Sequence, residues 1–210
     1  SDGLVVEALM KDSDLGTDTH AFGATSTSGA SGGDTGVAGS VAINVASTET
    51  IARVGTGSSV TLNGASAGDV NMAATSRTDN TVAANAKAGG SDTGVGASIA
   101  VNVALNDTIA EVQNGTTMSG SANDFDIKAT NTSNVSTTAE AGAAGSTAVG
   151  GGIAVTVSEN DTVARMGSGG GGTIALSGGL EVEATHGNTV YTLSNGEAAG
   201  SGVGVGASVS

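Results

Sequence analysis

Residues Gly94–Val112 read GVGASIAVNVALNDTIAEV, and close copies stand at Gly36–Val54 (GVAGSVAINVASTETIARV) and Val149–Met166 (VGGGIAVTVSENDTVARM). A fourth copy begins at Gly204 (GVGASVS). Aligning Val41, Ile99, Ile153 and Val209 gives spacings of 58, 54 and 56 residues. Self-similarity at a near-constant period marks an array in which each repeat buries its apolar face on its neighbours.

A shorter rhythm lies inside the repeat. Ile99–Val112 overlays Phe125–Thr138 (FDIKATNTSNVSTT), and both carry apolar residues eight apart. The first of these anchors run Ile43, Met72, Val101, Ile127, Val155 and Val182, in steps of 29, 29, 26, 28 and 27. The residues two before and two after each anchor are apolar or small, the period-two signature of a strand with one buried face. On this pattern Val41, Val45, Ile99 and Val103 face the core, while Ala100, Asn102, Ala154 and Thr156 point outward. Further brief strands are expected at Val60–Leu62, Val95, Met118, Val149, Ile174–Leu176 and Val203, separated by Gly-rich corners such as Gly89-Gly90 and Gly169–Gly172. The expected fold class is all-β, a parallel β-helix (β-solenoid). Its rungs are expected to hold roughly 28 residues, with two alternating rung types per ~55-residue repeat. Residues 1–210 form one array, expected to belong to a longer one, with residues 11–35 as an irregular loop insertion.

The turn before the second anchor is polar in six successive copies: Thr50, Thr81, Thr108, Asn134, Thr162 and Thr189. Stacked at strand spacing, such a column is expected to form a structural ladder of side chains. One place earlier stand Glu49, Asp107 and Asp161, alternating with Asn80, Ser133 and Asn188. These carboxylates are the candidate metal ligands, for calcium. On alternate rungs they would stand ~9–10 Å apart, too far to share one ion. Arg53, Glu111 and Arg165 share another column and read as surface charge balance.

Composition narrows the function. The chain has 36 glycines, 1% aromatics and no Pro, Cys or Trp, so its core must be thin and built of Val, Ala and short polar residues. The net charge of −14 opposes nucleic acid, whose phosphates need clustered Lys and Arg, and opposes anionic membranes. No run approaches the ~18 apolar residues of a membrane span. Catalysis on glycans would need carboxylates and basic groups beside stacking aromatics. Phe22, Phe125 and Tyr191 are the whole aromatic inventory, and His20 and His186 stand far apart and read as exposed turn residues. Catalytic and cofactor-binding residues are therefore expected to be none. Asn-x-Ser/Thr occurs at Asn106, Asn114, Asn131, Asn134 and Asn160, as a Ser/Thr/Asn-rich composition produces by itself.

The lines GVGASIAVNVALNDTIAEV and GGLEVEATHGNTVYTLSNGEAAG resemble repeats of giant secreted bacterial exoproteins of the leukotoxin-type filamentous adhesin family, over essentially the whole chain. The resemblance implies a rod-like solenoid at the cell surface or in the extracellular matrix, serving adhesion or cohesion. Partners would then be neighbouring rungs or subunits end to end, and a surface glycan or other cell-surface molecule. An alternative keeps the fold but makes the chain a short secreted subunit that polymerises end to end. A carbohydrate- or ice-binding solenoid ranks below both, because only one Thr column is clear.

Overall fold

The computed structural model describes residues 3–10, 19–63 and 68–210. Every regular element among them is a strand. They are β1 (Leu4–Leu9), β2 (His20–Ala30), β3 (Thr35–Val54), β4 (Ser59–Leu62), β5 (Val70–Gly89), β6 (Thr93–Val112), β7 (Thr117–Ala122), β8 (Phe125–Met166), β9 (Ile174–Leu176) and β10 (Leu180–Val209). All pairings are parallel. The chain winds as a flattened coil. A long strand (β5) runs along one face, a bend at Gly90–Asp92 reverses it, β6 runs back along the other face, and short β7 closes the turn. The next turn repeats this with the two halves of β8 and then β9. One sheet wraps both faces through β8, and β4, β7 and β9 make a second, three-stranded sheet.

The parallel architecture stands, but its period is longer than expected. Ile43 pairs with Val101 and Val101 with Val155, while Met72 pairs with Ile127 and Ile127 with Val182. Hydrogen-bonded partners along these columns lie 54, 55 or 58 residues apart. One turn of coil is therefore the whole repeat, and the 28-residue unit is half of it. The two alternating rung types are the two faces of one turn. Each face needs its own period-two strand, so the sequence displays the strand signature twice per turn.

A second correction concerns the expected loop over 11–35. His20–Ala30 is a strand, in register with Thr78–Ala88 of β5. Its inward residues are His20, Phe22, Ala24, Ser26, Ser28 and Ala30, and apart from Phe22 they are too small or polar to announce a buried face. Residues 11–18 lie outside the described residues.

The third correction is the direction of the side chains on one face. On β5 and the first half of β8 the anchors point inward as expected, with Val70, Met72, Phe125 and Ile127 at 0–1% exposure. On β3, β6 and the second half of β8 the pattern is inverted. Ala42, Ala100 and Ala154 are buried while Val41, Ile99 and Ile153 are 56%, 39% and 42% exposed.

Room inside the coil decides this. The two faces diverge toward the β4–β7–β9 side, where Phe125, Met72, Ile127, Met118 and Leu62 fill a core of large side chains. Toward the opposite edge the core thins to alanine, with Ala38, Ala86 and Ala88 packed there. At that edge the faces meet backbone to backbone. A Cβ on Gly94 would fall on the carbonyl oxygen of Ala144, and one on Gly36 on that of Gly89. A β-branched side chain cannot enter such a gap, so the strand turns its Gly, Ser and Ala positions in and its Val and Ile positions out.

Polar residues fill the middle of the coil and bond along its axis. Asn44 donates its amide to Asn102 Oδ1 at 3.0 Å, and Asn102 donates to the backbone carbonyls of Asn80 and Ser136. Four residues on, Thr48 donates to Asn106 Oδ1, and Asn106 donates to Asn160 Oδ1 and to Ser133 Oγ. Buried amides bonded in this way fix the register of successive turns, because a slip by one residue would leave them unpaired.

Candidate functional site

Turning the β-branched residues outward lays an aliphatic surface on one face of the coil. The parallel register places them in columns: Val37, Val95 and Val149; Val41, Ile99 and Ile153; Ile43, Val101 and Val155; Val45, Val103 and Val157. Val205 and Val209 of β10 extend the first two columns by one strand. Val45 is 69% and Val157 47% exposed, so the surface is open at both edges. The opposite face carries Thr75, Thr130 and Thr185 in one column and charged residues such as Asp126, Lys128 and Glu181 in others. Lys128 pairs there with Glu181 at 2.7 Å, and that hydrogen bond raises the pKa of its ammonium. The two faces thus differ in chemistry: one apolar, one polar.

Charged columns border the aliphatic surface. Glu49, Asp107 and Asp161 stand on directly neighbouring strands, in register, rather than on every second one. Strand spacing puts successive Cα atoms ~4.8 Å apart. Among the described residues, no group of three His, Cys, Asp or Glu converges to hold a metal ion. The three carboxylates therefore form a row of like charges on a flat sheet, not a cage.

Four residues along, Arg53, Glu111 and Arg165 are likewise adjacent. Arg53 Nε lies 2.5 Å from Glu111 Oε1, Arg165 Nε lies 2.5 Å from Oε2, and Gln113 donates to Oε1 at 3.1 Å. The Glu111 side chain is wholly covered, although it sits on the outer face under a layer one guanidinium thick. Burial pushes its carboxyl pKa up. The hydrogen bonds and charges of Arg165 and Arg53 outweigh that and hold it below the ordinary carboxylate value. The column is a bonded ion triad, more than the charge balance expected from sequence.

The six residues of the expected ladder fall into three columns. Thr50, Thr108 and Thr162 stack in register and point inward. Asn134 stacks with Thr189, and its other neighbour is Asp79. Thr81 stacks with Ser136. Thr108 Oγ1 finds no hydrogen-bond partner, and Thr162 Oγ1 lies 3.2 Å from Nδ1 of His186. The bonded ladders stand instead two and six residues earlier, at Thr48–Asn106–Asn160 and Asn44–Asn102. Their sequence signal was the recurrence of Asn between alanines (Ala42-x-Asn44-x-Ala46; Ala100-x-Asn102-x-Ala104), which reads as an outward surface only if the valines are assumed to be the core.

Both histidines lie in strands rather than turns, His20 in β2 and His186 in β10. Of the aromatic residues, Phe125 is buried and Tyr191 is exposed on the polar face. Of the five glycosylation sequons, Asn106 and Asn131 are buried inside the coil, whereas Asn114 and Asn134 face solvent. Among the described residues, no helix is long and apolar enough to cross a membrane. Comparisons with protein-family models, with characterised proteins and with solved structures return no match for this chain.

Proposed function

We propose that this chain is a rod-forming segment of an extracellular or cell-surface fibre, a filamentous adhesin acting in adhesion or matrix cohesion. The observation that carries the reading is the parallel stacking of turns, in register apart from one shift in β10 between Gly200 and Val203, which repeats the same outward columns from strand to strand along the axis. A surface built this way gains area with every turn and keeps its chemistry, which suits attachment by many weak contacts. The net charge of −14 keeps such a rod soluble. The fine repeat is a turn of ~55 residues carrying two long strands and one short one.

A second reading keeps the rod and changes its origin. β3 and β10 each pair on one side only within this chain, which leaves rows of backbone N–H and C=O groups for another chain to join. Separate subunits stacking end to end would use those rows. The denatured mass of the native polypeptide separates the two. A mass far above 19.6 kDa supports a covalent array, and a mass near 19.6 kDa supports stacked subunits. Adhesion itself is tested by coating beads with the chain and measuring their retention under flow on cell-surface material. Retention no better than that of uncoated beads, or turnover of a glycan by the chain, would overturn the proposal.

A further inference from the structure

The aliphatic face has the features of a surface built to meet its own copy, and we infer that two copies of this chain pair through it, strands antiparallel and coil axes parallel. The inference deepens the fibre reading by naming one partner of the rod: a second rod.

The side chains of the face repeat at strand spacing along the axis and at two-residue spacing from the column of Val41 to that of Val45, while Gly39, Ala97 and Gly151 leave a shallow row between the first two columns. A sheet of identical spacing is the surface that interdigitates with it row for row, as stacked sheets do when their inner faces form a dry core ~10 Å thick. A second copy supplies that spacing without further specification. Its size fits as well. Four columns span ~27 Å along the strands, and three strands span ~14 Å across them, about 400 Å² per copy in projection. Accessible area exceeds projected area, so a pair buries on the order of 1,000 Å², the threshold of a specific interface.

The bordering charges choose the arrangement. A two-fold axis running along the strands would lay the column of Glu49, Asp107 and Asp161 against its own copy, three carboxylates facing three. An axis parallel to the coil, over the column of Val41, Ile99 and Ile153, avoids this. It sets each residue of that column against itself and Val37 against Val45 of the second copy, so apolar covers apolar. The acidic column then lies beyond the start of β3 and β6 in the other copy, nearest to Asp34 and Asp92. That residual repulsion is exposed and screened by salt, so pairing tightens as salt rises.

Sedimentation equilibrium of the full chain tests this, with Ile99→Glu on the face and Thr130→Glu on the polar face as control. Both residues point outward, so both variants should keep the wild-type melting temperature. The expected result is a monomer–dimer equilibrium between the micromolar and millimolar range. It should strengthen with salt, disappear in Ile99→Glu and persist in Thr130→Glu. The chain has no native Cys. A short bismaleimide should therefore link Ile99→Cys into dimers and leave Asp107→Cys monomeric. A wild-type chain monomeric throughout that range, a dimer that survives Ile99→Glu, or equal linking of Asp107→Cys would overturn the pairing. Ile99-dependent binding to phosphatidylcholine vesicles without a dimer would also overturn it and assign the face to lipid. Monomers in solution beside rods in electron micrographs would sink the pairing and leave the fibre reading intact.

Discussion

At the scale of single residues, three positions separate what holds this coil together. Glu111 is the first. Its folded pKa lies below its unfolded value, so the triad's contribution is fully present above the ordinary carboxylate range and is lost as pH falls through the lower folded value. Glu111→Gln should therefore lower stability by ~1 kcal/mol at neutral pH, a charge-assisted figure discounted because both arginines are partly exposed. Urea titrations of both proteins from about pH 7 to about pH 3 should show the gap closing below about pH 4. A gap that widens toward acid would reverse the assigned sign.

Gly94 is the second position. Alanine there drives a Cβ onto the backbone of the facing strand, which cannot retreat without opening the narrow edge, so Gly94→Ala should destabilise by about 3 kcal/mol. The third is Asn106, set against a second buried amide, Asn131. Asn106 bonds to Thr48, Ser133 and Asn160, whereas neither amide atom of Asn131 has a partner in the protein. Asn106→Ala should cost about 2–3 kcal/mol and Asn131→Ala roughly 1 or less. Equal losses in chemical denaturation would mean that hydrogen bonding is not what the Asn ladder contributes.

At the scale of the strand, the direction of β3, β6 and the second half of β8 is the feature most open to direct test. Cysteine placed at Val101 should react with a maleimide within the mixing time, and cysteine at Ala100 should react only on global unfolding, because Ala100 has no exposed surface. The opposite order of rates would restore the expectation from sequence. That expectation failed for a physical reason. Period-two alternation announces a strand with two unlike faces, but it does not say which face has room behind it. Val, Ile and Val alternating with Ala, Asn and Ala look like a core opposite a surface. In this coil the facing strand is itself lined with Val82, Ala84, Ala86 and Ala88, and the gap admits only the smaller set. The same omission hid β2, whose inward Ser and Ala residues carry no hydrophobic signal. The Gly169–Gly172 corner was legible, and Gly169 adopts positive φ there, as Gly57 and Gly115 do at the same corner of the two preceding turns.

For the whole molecule, the repeat was visible in the sequence and the winding was not, since a 55-residue period fits one wide turn as well as two narrow ones. The wide turn has a consequence for how the molecule comes apart. Each turn contacts only its neighbours, so stability should be graded along the coil axis and not along the strands. β5, β6 and residues 125–153 of β8 have partners above and below, whereas β1, β2, β3, β10 and residues 154–166 of β8 have one. Their burial follows the same order: the inward residues of β5 are covered, and Leu180 and Val182 of β10 are 55% and 45% exposed. Amide hydrogen exchange followed by mass spectrometry should therefore find its slowest peptides in residues 70–112 and 125–153. The fastest strand peptides should come from β1, β2 and β10, with β3 between. Joining two copies in tandem should raise protection in the β10 segment of the first copy and leave the middle turns unchanged. Uniform protection across all strands would show that the coil opens as one cooperative unit, and would remove the turn-by-turn additivity from which a rod of any length draws its stability.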